Sequence, residues 1–148
     1  MSEKEKEEMS RLAQIAQNYQ QQGQFLQQQA NAVQANMAEI NNSLEALKNL
    51  KETDKNEILL PIGAGIYFTA SIKDKNKVLT DIGANVIAEK TLEQAAETLR
   101  KRLVNSEELL NKTQKGLNEV GQELQKIDSE AKKLINKMKD SDVRSTER

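Results

Sequence analysis

Residues 58–89 have the sequence ILLPIGAGIYFTASIKDKNKVLTDIGANVIAE, and this stretch decides the fold. It contains four short runs of β-favouring residues, at positions 58–62, 66–72, 78–82 and 86–89. The runs are separated by breaks that supply glycine, asparagine and aspartate for turns, at positions 63–65, 74–76 and 83–85. Four strands at this spacing predict two consecutive β-hairpins.

The two predicted hairpins resemble each other in sequence. The run Ile62-Gly63-Ala64-Gly65 is followed twenty positions later by Ile82-Gly83-Ala84-Asn85. Each run leads into an apolar residue that starts the next strand. We therefore expect the second hairpin to be a structural copy of the first.

On each side of this stretch, apolar or small residues recur at steps of three and four. The first stripe consists of Met9, Leu12, Ala16, Tyr19, Gly23, Leu26, Ala30, Val33, Met37, Ile40, Leu44 and Leu47. The second consists of Leu92, Ala96, Leu99, Leu103, Ser106, Leu110, Thr113, Leu117, Val120, Leu124, Ile127, Ala131, Leu134 and Met138. A heptad pattern of this length predicts two coiled-coil helices.

The stripes and the β stretch divide the chain into four parts. We predict an N-terminal coiled-coil helix at 1–51, a double β-hairpin assembly region at 57–90, a C-terminal coiled-coil helix at 91–139 and a flexible tail at 140–148. Thr91 and Gln94 have the spacing of a capping box and mark the start of the second helix. The predicted fold class is α+β, a long antiparallel two-helix coiled coil with two β-hairpins inserted between the helices.

In an antiparallel arrangement, facing residues of the two helices have numbers that total about 142. Gly23 then lies opposite the stretch between Gly116 and Gly121. A glycine inside a helix costs about 1 kcal/mol relative to alanine. We therefore expect a flexible waist at this level.

The composition excludes several classes of protein. Only 36% of the 148 residues are apolar and 3% aromatic, too few for a conventional globular core. A charged fraction of 30% fits disorder, but disordered chains have no reason to phase their apolar residues. The net charge of −1 comes from interspersed charges, so neither nucleic acid nor an anionic membrane is an expected partner.

The chain contains no cysteine and no histidine, which removes the usual nucleophiles, bases and metal ligands. Gly63-Ala64-Gly65 leads to a strand, and Phe68 stands where a dinucleotide fingerprint needs glycine. We expect no enzymatic activity, no cofactor and no metal. The apolar run 58–70 is broken by Pro61 and is shorter than a membrane helix, and the first residues lack a signal-peptide core. A cytoplasmic location is therefore expected.

Four short strands cannot bury enough apolar surface to stand alone, and two hairpins leave open sheet edges. Other copies or a related partner must complete a sheet or barrel. The residues predicted to make this assembly are Ile58, Leu60, Ile62, Ile66, Phe68, Ile72, Val78, Ile82 and Val86.

Apolar residues beyond the strict stripes extend the seam at the ends of the helices remote from the hairpins. Together with the stripe residues there, they predict an adaptable apolar patch. Its members, which we call the tip residues, are Met9, Leu12, Ile15, Leu134, Ile135 and Met138. Ordinary packing at the end of a coiled coil is the alternative interpretation.

The insert Leu60-Pro61-Ile62-Gly63-Ala64-Gly65, its second copy at 82–85 and the flanking helices resemble the archaeal prefoldin alpha subunit over nearly the whole chain. Two hairpins rather than one favour the alpha type. Asn85 stands where the family pattern often has glycine. The resemblance implies a chaperone hexamer with two alpha and four prefoldin beta subunits, whose hairpins form an oligomeric β-barrel. It also implies that the coiled-coil tips bind unfolded client proteins without ATP and deliver them to a group II chaperonin.

One competing interpretation stays open. A coiled-coil scaffold related to prefoldin could assemble through its hairpins into homo-oligomeric filaments. Self-association without a second subunit would distinguish this scaffold from the chaperone.

Overall fold

The computed structural model describes residues 2–146 and places two hairpins between two long helices. The elements are α1 (Glu3–Glu52), β1 (Glu57–Gly63), β2 (Ile66–Ser71), β3 (Lys77–Gly83), β4 (Val86–Thr91) and α2 (Leu92–Thr146). This confirms the predicted fold class. Met1, Glu147 and Arg148, which belong to the predicted first helix and tail, lie outside the described residues.

Both helices begin with reciprocal side-chain caps. At α2, the Thr91 N–H donates to Gln94 Oε1 at 3.1 Å and the Gln94 N–H donates to Thr91 Oγ1 at 3.2 Å, which confirms the predicted capping box. At α1, the Ser2 N–H donates to Glu5 Oε2 at 2.9 Å and the Glu5 N–H donates to Ser2 Oγ at 3.3 Å. Each pair satisfies backbone donors that the first helical turn leaves free.

α2 continues beyond the predicted boundary. A helix end at Lys139 was expected, whereas α2 runs to Thr146. Residues 140–146 contain no proline or glycine to stop a helix. The hydroxyls of Ser141 and Thr146 donate to carbonyls one turn earlier, so these short polar side chains are accommodated within the helix. Flexibility of the tail stays a prediction.

The chain divides into two compact units. The first, the end unit, contains the residues up to Val33 and those from Glu108 onwards; the second, the hairpin unit, is Gln34–Glu107.

Within the end unit, α1 and α2 pack in antiparallel register. A Cβ built at Gly23 would lie 3.3 Å from Val120 Cγ1, and one built at Gly116 would lie 3.1 Å from Leu26 Cδ1. Within the hairpin unit, Asn36 Nδ2 donates to Ser106 Oγ at 3.2 Å. The residue numbers in each of these pairs total 142 or 143. The predicted register is therefore confirmed in each unit.

The seam buries mainly small and medium side chains. Among residues 2–146, the buried ones are Leu12, Ala30, Val33, Ile40, Ala95, Ala96, Thr113 and Val120. All of them except Ala95 belong to the predicted stripes. Thr113 is the polar member, and its hydroxyl donates to the Leu109 carbonyl at 2.8 Å. This hydrogen bond offsets much of the cost of burying the hydroxyl.

The glycines of the end unit have different surroundings. Gly23 and Gly116 each lie against a side chain of the facing helix, so they allow the two helices to approach closely. Gly121 faces open space, because a Cβ there would have no neighbour within 4 Å. The flexible waist at this level stays a prediction. The presence of Gly23 and Gly116 is also explained by close packing against the facing helix.

The two hairpins have matching backbones. β1 pairs with β2 and β3 with β4 in the same antiparallel register, and each ladder has an irregularity just before its turn. Ala64 and Ala84 both have φ of 51°, a left-handed conformation that alanine adopts at a cost of about 1 kcal/mol. Gly65 and Asn85 also share positive φ, at 77° and 61°. The second hairpin is thus a structural copy of the first, and Asn85 preserves the turn.

We predict that Gly121→Ala stabilises the chain by up to about 1 kcal/mol, because alanine reduces the entropy lost on helix formation and meets no neighbour. Thermal unfolding followed by circular dichroism would show a higher midpoint. Gly116→Ala is the matched control, since its Cβ would press on Leu26 and the gain should be smaller or reversed. An equal or larger gain from Gly116→Ala would contradict the packing role of Gly116.

We also predict that the start of α1 is pH-sensitive. The hydrogen bond from the Ser2 N–H lowers the pKa of Glu5 below the ordinary glutamate value. The capping interaction is therefore fully present above the ordinary pKa and is lost as the pH falls through the lowered pKa. Amide exchange in the first turn should accelerate over that acidic range. Glu5→Gln keeps a capping side chain without its titration, and an unchanged pH dependence in this variant would exclude Glu5 as the cause.

Candidate functional site

The hairpin unit carries two opposite apolar faces on each hairpin. We call β1–β2 hairpin 1 and β3–β4 hairpin 2. Directly opposed residues share a face, so the pairs Leu60–Phe68 and Val78–Lys90 define the first face, which holds the even-numbered positions. The odd-numbered positions form the second face up to the irregularity before each turn, where Gly63 pairs with Ile66 and Gly83 with Val86.

Of the predicted assembly residues, Ile58, Leu60, Ile66, Phe68, Val78 and Val86 lie on the first face. Ile62 and Ile82 lie at the irregularity just before each turn, and Ile72 follows the end of β2. Leu60, Ile62, Ile66, Phe68, Ile82 and Val86 are exposed, and Ile58, Ile72 and Val78 are half-buried. Phe68 keeps 61% of its surface exposed, although it is one of the largest apolar side chains in the chain. The structure therefore brings together, on each hairpin, an apolar face that its own chain leaves largely uncovered.

The second face also carries exposed apolar side chains, which the sequence analysis did not assign. They are Leu59, Tyr67, Leu79 and Ile87. Leu79 is 75% exposed. A signal for this face was present in the sequence, because Ile58-Leu59-Leu60 and Ile66-Tyr67-Phe68 are continuous apolar runs. Continuous rather than alternating runs are typical of strands covered on both faces.

Each hairpin forms its own two-stranded sheet, so the outer edges of its strands have no partner strand within the described residues. On hairpin 1, Pro61 occupies a strand position and has no N–H to offer to a neighbour. On hairpin 2, the equivalent residue is Asp81, whose carbonyl accepts a hydrogen bond from the Arg102 guanidinium. Open edges favour pairing with strands of other chains.

Basic side chains hold the hairpins to the helices of the same unit. Lys90 Nζ donates to Thr98 Oγ1 at 2.9 Å, next to the Arg102 contact with hairpin 2. Lys75 Nζ donates to the carbonyl of Thr53, just after α1 ends. The Lys90 contact lies at the base of hairpin 2, the Arg102 contact lies near its turn, and the Lys75 contact holds the loop between the hairpins to the end of α1.

The tip residues in the end unit differ in accessibility. Leu12 is 7% exposed, so it packs in the seam, whereas Ile135 is 38% exposed. The remaining tip residues, Met9, Ile15, Leu134 and Met138, are half-buried.

Met9 and Leu12 line one groove between the helices. The α2 residues that line it with them are Leu124, Ile127, Asp128 and Ala131. Leu134, Ile135 and Met138 do not contribute to this groove. Val143 is a further exposed apolar residue of α2, at 60%. Its sequence surroundings are charged and without period, so the sequence offered no signal for it.

The exposed charges of α2 pair with one another. Lys126 Nζ lies 2.8 Å from Glu123 Oε1, a hydrogen bond that raises the pKa of Lys126 above its ordinary value. Lys132 Nζ lies 2.7 Å from Asp128 Oδ2. Exposed pairs of this kind contribute little to stability.

Between Ser2 and Thr146, no cluster of carboxylates could hold a metal ion. Neither described helix has an apolar stretch sufficient to cross a membrane.

The Prefoldin family model, described as "Prefoldin subunit", matches residues 19–137. The chain is 37% identical over 124 residues to "Prefoldin subunit alpha" of Thermofilum pendens, which covers 83% of this chain and 91% of the relative. It is 33% identical over 132 residues to the protein of the same name from Pyrococcus horikoshii, covering 88% of this chain and 89% of that one.

A likeness in fold was also found among solved structures. A chain from the cryo-EM structure of a filamentous PFD from Methanocaldococcus jannaschii superimposes with a TM-score of 0.67. The match covers 78% of this chain and 96% of that one at 21% sequence identity. At this identity the likeness shows the fold.

Proposed function

This chain belongs to the prefoldin family, which makes it a chaperone subunit of the prefoldin type, and we propose that it binds non-native polypeptides without ATP and passes them to a group II chaperonin. We propose a hexamer in which two copies of this chain join four prefoldin beta subunits through a shared β-barrel. The expected location is the cytoplasm, and the absence of cysteine suits its reducing conditions.

The observation that carries this proposal is the exposed first face of the two hairpins. Leu60 and Phe68 face each other across hairpin 1 and stay open to solvent in the folded chain. Ile82 and Val86 lie beside the turn of hairpin 2 and are also exposed. Apolar faces on open-edged hairpins are stabilised when strands of other subunits extend the ladder and close a common core.

Client binding is assigned to the tip residues. Ile135 offers direct contact, and the groove beside Met9 and Leu12 offers an apolar cleft between two helices. One such contact is weak, because a single exposed isoleucine buries little area. Several subunits around one cavity would add their weak contacts by avidity and hold clients of varied shape.

A homo-oligomeric filament-forming scaffold is the second candidate function. The likeness in fold to a chain from a filamentous PFD favours it. Native mass spectrometry of the tagged chain from its source cells separates the two candidates. A hexamer with two copies of this chain and four of a smaller coiled-coil protein supports the chaperone. Homomers of open-ended size support the scaffold.

We predict that Leu60→Ser with Phe68→Ser abolishes the mixed oligomer, because both changes remove apolar surface from the first face. Native mass spectrometry would then show only the free chain. The helix content by circular dichroism should stay unchanged, since both side chains are exposed in the chain itself. Val143→Ser, a polar change at an exposed residue outside the hairpins, serves as the control. An intact hexamer in the double variant would exclude the first face as the assembly surface.

We predict that Ile135→Ser weakens the suppression of client aggregation while the assembly stays intact. The loss of apolar contact should be about 1 kcal/mol per chain, or about fivefold in affinity for one tip. Light scattering of a chemically unfolded protein diluted into buffer measures the effect. Val104→Ser is the matched control, because Val104 is exposed on α2 but lies outside the tip residues. Equal suppression by wild type and Ile135→Ser would remove Ile135 from the client site.

A further inference from the structure

The side of α1 that carries the tip residue Ile15 also carries one large apolar residue farther from the tip. Phe25 is 66% exposed, although phenylalanine is among the side chains that gain most from burial. We propose that Phe25 and the uncharged side chains beside it form a second client contact, which binds an extended segment of a non-native polypeptide. This inference rests on the proposed function, because it extends the client site beyond the tip.

The geometry of α1 places Phe25 in line with Ile15. Residues three and four apart are neighbours on the surface of a helix. Steps of three and four from Ile15 reach Phe25, about 15 Å farther along the helix axis. We call the residues on this path the Phe25 row, which consists of Ile15, Asn18, Gln22, Phe25, Gln29 and Ala32. Ile15 and Gln29 are half-buried beside the seam, and the other members are exposed.

The surroundings of Phe25 carry no charge. Residues 12–38 contain no charged side chain, although 30% of the chain is charged. In contrast, α2 exposes Lys112, Lys115 and Glu119 within the end unit. Helix formation does not require this difference, because glutamate and lysine are helix formers as good as glutamine. An uncharged surface neither attracts nor repels a segment of either sign, so it suits clients of varied net charge.

The amides of the row match a feature that all non-native polypeptides share. Asn18 and Gln22 each offer two N–H donors and a carbonyl acceptor. An unfolded backbone presents N–H and C=O groups that secondary structure no longer uses. Hydrogen bonds between the two require no particular client sequence. Phe25 adds what the amides lack, an apolar surface on which a client side chain can pack.

The row continues the tip and does not repeat the groove. Ile15 is a tip residue and the first member of the row, so a client segment that leaves the tip along this side of α1 meets Phe25 next. The groove beside Met9 and Leu12 opens on the other flank of the seam, where Ala13 and Gln20 line it. Two weak contacts on one client chain reinforce each other, because the second becomes intramolecular once the first has formed.

The first test measures the affinity of the complete assembly, this chain with its partner subunit, for two permanently unfolded clients. These are lysozyme, which is basic, and α-lactalbumin, which is acidic, both reduced and alkylated with iodoacetamide. Phe25→Ser should weaken the binding of both by about tenfold, measured by fluorescence anisotropy of the labelled clients. Phe25→Leu should restore most of the affinity. The helix content should stay unchanged, since Phe25 is exposed.

Charged substitutions test the neutrality of the row. Gln22→Glu with Gln29→Glu places carboxylates on both sides of Phe25 and should weaken the binding of the acidic client more than that of the basic one. Gln24→Glu with Gln27→Glu is the matched control, because it adds the same charge at exposed positions about 100° and 200° around the helix from Phe25. The control should separate the two clients less. Equal separation by both variants would show that net charge alone matters and would overturn the role of the row.

Photocrosslinking locates the client directly. The chain has no cysteine, so Phe25→Cys gives it a single thiol that can carry a benzophenone before the chain is mixed with its partner subunit. On irradiation, this label should join the bound client. A label on Gln27→Cys, on the opposite side of α1, should capture less client.

Two further results would overturn the inference. Unchanged affinity of Phe25→Ser for both clients would show that Phe25 makes no client contact. Capture of the partner subunit by the label on Phe25→Cys, with an altered number of subunits in Phe25→Ser, would show that a neighbouring subunit covers the row. Failure of the proposed function is distinguishable, because the wild-type assembly would then bind neither client.

Discussion

The constraint on which this molecule depends is that a two-stranded hairpin cannot bury its own side chains. Each hairpin has apolar residues on both faces and open edges on both strands. Hydrogen bonds from Lys90 to Thr98 and from Arg102 to Asp81 join hairpin 2 to α2. A hairpin of this kind is marginal alone. Its stability has to come from other chains, so folding of the hairpins and assembly of the oligomer are energetically linked.

The helices, unlike the hairpins, bury side chains against each other within the chain. Their seam buries alanine, valine, threonine and a few larger residues, and two glycines replace side chains where the facing helix supplies a valine or leucine. A narrow seam of small residues keeps two helices close but contributes little apolar burial per turn. Such a coiled coil is suited to carry contact residues at its ends rather than to form a large core.

Much of the fold could be predicted, because the heptad stripes of the helices and the turn-forming breaks between the strands are both clear in the sequence. The heptad stripes predicted the helices and the register that places Gly23 beside Val120, and the glycine-containing breaks predicted both turns. The exposed second face of the hairpins was missed, because a continuous apolar run does not show which of its side chains stay exposed in the folded chain. The burial of Leu12 and the exposure of Ile135 were also beyond the sequence, since neighbouring apolar positions at a helix end depend on how the last turns pack. The extension of α2 to Thr146 was also missed, because residues 140–146 are polar and carry no periodic apolar signal, although they contain no helix-stopping proline or glycine.

The twenty-residue repeat bears on how many hairpins a subunit of this family can carry. Because Gly65 and Asn85 end equivalent turns, removal of one repeat length, residues 66–85, would join Gly65 to Val86 and leave β1 and β4 as a single hairpin between the same two helices. The number of hairpins can therefore change while the coiled coil stays the same. Gain or loss of one twenty-residue repeat would change the number of hairpins that the chain presents while both helices stay the same.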